Sequence, residues 1–354
     1  MLRSSRLRYR RRCHRGERGQ IFVLVVVLIA VFGGMTAVAI DLGSFTADRR
    51  DLQNAADAIA LAAALELPDA NDAQTVATQW AIHNDIDPVD MTVTIIPQSL
   101  PSEPNPKARV EVERDHSFTF ARLVGISSAT VGASATAIRT SPGGSDDLMP
   151  WSVLDSFQNA ATPGVSLVLK YDSLDVQSGN FGAISVDGSG ASVYRDTIKY
   201  GSDDFLCVAG ASGACSYPSQ IDLQTGNMVG PTRQGTDYRL EQTAPACDTW
   251  EEVVAVNPDG TQGLRPECNP FLSGGDRGSL RVIIIPVVPS LCNGSCTVEI
   301  TEFALFFLEG YGSDGCTGNS CEIRGRFIDS NTNYGALAGT YDPDSYVHFV
   351  RLVE

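Results

Sequence analysis

Residues 21–40 form an unbroken apolar run, IFVLVVVLIAVFGGMTAVAI, and the twenty residues before it carry eight arginines and a single carboxylate, Glu17. No other feature restricts the fold as much. A helix rises about 1.5 Å per residue, so about 20 apolar residues cover the roughly 30 Å hydrocarbon core of a bilayer. Lipid offers an unpaired backbone amide no partner, which requires such a segment to be helical. Arg3, Arg6, Arg8, Arg10, Arg11, Arg12, Arg15 and Arg18 resist translocation. The expected topology is therefore a cytoplasmic basic stub at 1–20, a transmembrane helix at 21–40 and an extracytoplasmic body beyond it. Ala37 and Ala39 have the small-x-small form of a signal-peptidase site. The apolar run before them is at the upper limit for a cleavable signal and the helical pattern continues through Asp41, which favours a retained anchor.

Charge divides the same way. Of 26 basic and 42 acidic residues, the first twenty hold eight and one, leaving 18 and 41 for the remainder. An acidic body repels phosphate backbones, so no nucleic-acid partner is expected, and the basic start is read as topology and lipid contact. Cys13 precedes the span, whereas Cys207, Cys215, Cys247, Cys268, Cys292, Cys296, Cys316 and Cys321 all follow it. An even set of eight in a translocated region points to disulfides, with connectivity open and local pairs such as Cys207 with Cys215 the simplest choice. Cys292/Cys296 and Cys316/Cys321 have roughly zinc-ligand spacing, but their Asn-, Gly- and Ser-containing loops suit disulfide turns better.

The fold class expected is α+β. From Asp41 the helical pattern continues to Pro68, with Phe45, Leu52, Ile59 and Glu66 at heptad spacing and Ala55, Ala56, Ala62 and Ala63 between them. This narrow face could pack on its own domain or on a partner helix. A second helix is expected over 69–85, with Ala73, Val76, Ala77, Trp80 and Ala81 on one side, and strands over 89–96, 108–112 and 130–138. Residues 41–140 thus read as a small α+β unit, 141–147 (SPGGSDD) as a flexible acidic linker, and 148–354 as a β-rich, disulfide-bonded domain. Within that domain β runs are expected at 165–171, 181–186, 280–288, 298–308 and 321–328, the third interrupted at Pro286.

Gly19 and Gln20, the apolar span, then Asp41, Leu42 and Gly43, then Leu52, Gln53, Asn54, Ala55, Ala56 and Asp57 follow one another in an order that resembles the TadG-like (TadE/TadG-like) proteins of the Tad system for Flp pilus assembly. Residues 109–139 resemble the strand pair that closes such N-terminal regions. The resemblance implies a non-enzymatic, single-pass envelope protein that works with pilus-assembly or other envelope proteins. A membrane-tethered adhesin-like binding module is the alternative. Related minor pilins are cleaved after a Gly and carry a Glu at the fifth mature position. Here that position is Leu24 counted from Gly19 and Ile21 counted from Gly16, which fits an uncleaved anchor.

Catalytic and metal templates are missing. The sequence has no Gly-x-Ser-x-Gly elbow, P-loop or His-Glu-x-x-His, and its four histidines, His14, His83, His116 and His348, are far apart. No catalytic residue, metal or cofactor is expected. Some relatives carry a von Willebrand A-type domain with an Asp-x-Ser-x-Ser metal site. Asp187 and Ser189 start such a pattern, but Ala191 stands where the second serine belongs and Ser192 follows it, so a Gly/Ser turn is expected.

Overall fold

A computed structural model describes residues 18–96, 105–158, 162, 164–171, 182–210, 215–256, 262–271, 278–292, 294–329, 337–343, 345 and 347–353. The basic stub lies outside these residues except for Arg18, Gly19 and Gln20.

Helix α1, Arg18–Leu65, runs without a break for 48 residues, about 72 Å at 1.5 Å per residue. Its two halves have different surroundings. From Ile21 to Ile40 every side chain is exposed except Ala37, which is half-buried. From Leu52 to Ala64 it buries Leu52, Ala55, Ala56, Ile59, Ala60, Ala62, Ala63 and Ala64. The narrow face predicted from the heptad spacing therefore packs on its own domain. Helix α2, Ala70–His83, opens with Asp69, whose carboxylate accepts from the N–H groups of Asn71 and Asp72 at 2.8 and 3.0 Å. Ala73, Ala77 and Ala81, four apart and fully buried, join the alanines of α1 in one cluster.

That cluster is completed by an antiparallel sheet of β1 (Met91–Ile96), β2 (Lys107–Ser117), β3 (Ser128–Thr140) and the C-terminal strand Phe349–Leu352, in that order. Along β2 the alternation expected of a half-buried strand holds: Ala108, Val110 and Val112 face the helices, and Arg109, Glu111 and Glu113 face out. The fourth strand comes from the far end of the chain, Phe349 pairing with Thr140 and Leu352 with Ala137. Short-range patterns cannot show a pairing across 200 residues. At the end of α1, Arg139 of β3 donates to the carbonyls of Leu65 and Leu67, satisfying groups a helix terminus leaves open.

Residues 141–147 do not run free between two units, which corrects the linker expectation. Pro142–Ser145 is a strand, β4, and Ser141 to Ser145 are buried. The glycines responsible for that expectation serve close approach: a Cβ on Gly143 would lie 2.8 Å from Gly339 Cα, and one on Gly144 would lie 2.6 Å from the Phe205 ring. The same join is stitched by Thr140 Oγ1 donating to the Gly339 carbonyl at 2.8 Å and by the Tyr341 N–H donating to Asn105 Oδ1 at 2.6 Å.

The larger body is built on a five-stranded sheet in the order Val153–Leu154, Val282–Val288, Glu302–Thr317, Ser320–Phe327 and Ser166–Lys170. Val282–Val288 and the Phe303–Leu308 part of its neighbour are buried on both faces, which is why they read as continuous apolar runs. Ile284, Leu305 and Phe307 enter one core, and Ile283, Ile285, Phe306 and Leu308 the other. Pro286 does not interrupt its strand. It stands in register with Phe303, and on the other side parallel pairing touches Ile284 with Leu148 and resumes at Val287 with Val153, so the missing N–H falls in the gap between them. Two helices, Ala191–Tyr200 and Val229–Gln242, contribute Tyr194, Ile198, Val229 and Leu240 to one core. The second carries Pro231 and Gly235, residues that weaken a helical reading. Gly235 is required by contact, since a Cβ there would lie 2.6 Å from the Ile198 side chain.

All eight cysteines beyond the apolar run pair locally: Cys207 with Cys215, Cys247 with Cys268, Cys292 with Cys296 and Cys316 with Cys321, at Cα separations of 5.9, 5.5, 6.5 and 4.1 Å. No group of three or more metal-ligating side chains occurs among the described residues.

Candidate functional site

The residues of interest lie along α1, where its bare half meets its packed half. The helix is the one among the described residues long and apolar enough to cross a membrane. Gly19 and Gln20 lie in its first turn. Asp41 is the first polar residue beyond the apolar run's last turn, and it is buried. Its Oδ1 accepts from the backbone N–H groups of Thr119 (2.9 Å) and Phe120 (3.2 Å), and its Oδ2 from those of Phe120 (3.0 Å) and Ala121 (2.6 Å). Burial pushes the carboxyl pKa up, but the three N–H groups and nearby His116 more than reverse this and hold it below the ordinary carboxylate value. Leu42 and Gly43, beside it, are exposed.

Above Asp41 a polar and aromatic seam joins α1 to β2. Asp48 Oδ2 lies 2.6 Å from His116 Nδ1, and Asp48 Oδ1 accepts from Arg114 at 3.1 Å. Phe45 stacks on Phe118 with ring centroids 6.0 Å apart and meets His116 edge-on. One turn further, Gln53 Nε2 bridges Asp57 Oδ1 (2.8 Å) and the Ser134 carbonyl of β3 (3.0 Å). Leu52, Ala55 and Ala56 are buried and Asn54 is exposed. The motif residues thus divide between holding helix to sheet and facing outward.

Ser44 Oγ lies 3.3 Å from His116 Nε2, so Ser44, His116 and Asp48 form a hydrogen-bonded chain that the sequence did not reveal, because the two elements are 72 residues apart. A serine, a histidine and an aspartate in hydrogen-bonded sequence do not by themselves make an acyl-transfer site. Ser44 donates its hydroxyl proton to the Asp41 carbonyl at 2.9 Å, and the N–H groups of the adjoining loop, which an oxyanion would need, are given to Asp41. The chain is a clamp between α1 and β2.

In the larger body, Asp187 is committed to structure: Oδ2 accepts from Thr197 Oγ1 at 2.6 Å and Oδ1 from the N–H groups of Asp203 and Asp204 at 3.0 Å. Buried Lys170 donates to Asn227 Oδ1 (2.9 Å) and to the carbonyls of Cys321 (3.1 Å) and Tyr171 (3.3 Å). Both arrangements spend their polar atoms on neighbouring elements.

No curated protein and no solved structure matches this chain. The stretch that holds the apolar run, Asp41 and the buried alanines, residues 19–66, matches the family described as putative Flp pilus-assembly TadE/G-like, so this segment is similar to TadE/G-like Flp pilus-assembly domains.

Proposed function

We propose that this chain is a non-enzymatic, single-pass envelope protein that contributes to assembly or anchoring of a Tad/Flp-type pilus. Residues 1–20 lie in the cytoplasm, 21–40 cross the membrane, and the α+β unit with the larger disulfide-bonded body stands outside. The observation that carries this reading is the coincidence of the matched segment with a helix bare over 21–40 and packed from Leu52 onward. The Leu52, Ala55 and Ala56 face is occupied by the chain's own sheet, so assembly partners are assigned to the span and to exposed positions such as Asn54. Four disulfides in the body and an arginine-rich inner flank agree with that orientation.

The test replaces residues 21–40 by a leucine span of equal length. A leucine helix still anchors but lacks the native packing surface, so the variant should stay in the membrane pellet and lose pilus assembly. Wild-type piliation with the leucine span would contradict a partner contact through the span.

A further inference from the structure

The loop between β2 and β3, residues 118–126, exposes Phe120, Leu123, Val124 and Ile126, with Leu123 83% and Val124 79% accessible. So much apolar surface at one tip is unfavourable in water. It faces the span. Phe118, Phe120, Leu123, Val124 and Ile126 line a hollow of about 530 Å³ whose other wall includes Gly34, Ala37 and Val38 of α1. Seven residues separate Gly34 from Asp41, about 10 Å of helix rise. If 21–40 fill the hydrocarbon core, side chains level with Gly34 to Val38 lie among acyl chains of the leaflet through which the helix leaves.

Irregular backbone at that depth must have its polar groups satisfied from within the protein. Asp41 takes the N–H groups of Thr119, Phe120 and Ala121. Those of Phe118, Leu123, Gly125 and Ile126 go to the carbonyls of Ser127, Phe120, Arg122 and Ala121, at 3.0, 2.9, 3.2 and 3.1 Å. Apart from exposed Thr119 and Arg122 the outer surface of the tip is apolar. Arg122 Nε donates to the Phe118 carbonyl at 3.0 Å, and its long stem lets the guanidinium reach the headgroup level while the neighbouring apolar side chains face acyl chains.

We propose that residues 118–126 form a second membrane contact, seated in the outer leaflet beside the span and held there by Asp41. The occupant of the hollow is lipid acyl chain, because its surface is continuous with the lipid-facing surface of the helix. The proposal rests on 21–40 being a span, and the experiment separates the two. In the full chain carrying Cys13→Ser, an environment-sensitive fluorophore is attached at Leu123→Cys, at Val124→Cys, at Val31→Cys within the span and at Val256→Cys in the body. The proteins are reconstituted in phosphatidylcholine vesicles with doxyl-labelled acyl chains. Labels at 123, 124 and 31 should be quenched by doxyl lipid and quenched by aqueous iodide several-fold less than the label at 256. Iodide quenching at 123 and 124 equal to that at 256, with 31 still lipid-quenched, overturns the loop contact alone. Iodide quenching at 31 as well overturns the span. Protection of 123 and 124 from both quenchers places a protein in the hollow and also overturns the proposal.

Discussion

Asp41 shows how one residue can be legible as a position yet opaque as a role. Its place at the end of the apolar run is visible in the sequence, but its partners lie 78 to 80 residues further on, and nothing in the local pattern announces a carboxylate that organises a distant loop. His348 is similar. It appears in the sequence as an isolated histidine, whereas in the structure its Nε2 lies 2.8 Å from the Asp342 carbonyl and its ring packs on Tyr341. Burial pushes its pKa down to about 4, against a smaller upward effect of the Asp342 carbonyl. The folded state therefore holds His348 neutral, while the unfolded chain protonates it near 6.5. Its contribution is fully present above pH about 6.5 and is lost as pH falls toward about 4, by at most about 3 kcal/mol. The urea midpoint of the detergent-solubilised protein should drop between pH 7 and pH 4.5, and His348→Gln should flatten that dependence. An unchanged slope in the variant would show that other groups carry it.

At the scale of elements, α1 was the most readable part of the chain, since helix propensity, apolar length and alanine spacing agree over 48 residues. The partner of its narrow face was not readable, because a stripe of alanines fits a neighbouring chain as well as its own sheet. Ala56, fully buried under that sheet, makes the difference measurable. Ala56→Trp should destabilise the fold by about 1–3 kcal/mol or more, as overpacking does. Asn54→Trp, at an exposed position on the same turn, should leave the urea midpoint within about 0.5 kcal/mol. An unshifted midpoint for Ala56→Trp would mean that the α1 face is free to meet another protein. The helices Ala191–Tyr200 and Val229–Gln242 were missed for the opposite reason. The first is short and polar, and the proline and glycine of the second answer to its first turn and to its close contact with Ile198, so tertiary packing outweighs weak propensity.

For the molecule as a whole, the sequence separated a membrane segment, a first α+β unit and a β-rich remainder, but it did not show that the C-terminal strand returns to complete the first sheet. That return, with β4 buried at the join, ties the larger body to the sheet packed on α1. The two bodies are therefore joined by the pairing of Phe349–Leu352 with β3 and by the Thr140 hydrogen bond to Gly339 as well as by the covalent chain. In the proposed topology a single uncleaved helix crosses the bilayer and continues as the packed helix of an external fold. The most direct measurement is thiol reactivity in intact cells, in a Cys13→Ser background, of Thr46→Cys and Val31→Cys toward a membrane-impermeant maleimide, read by intact mass. The expected result is a chain that retains 21–40, modified at position 46 from outside and unmodified at position 31. A mass beginning near Ile40, or a residue 46 that reacts only after the cells are opened, would contradict it.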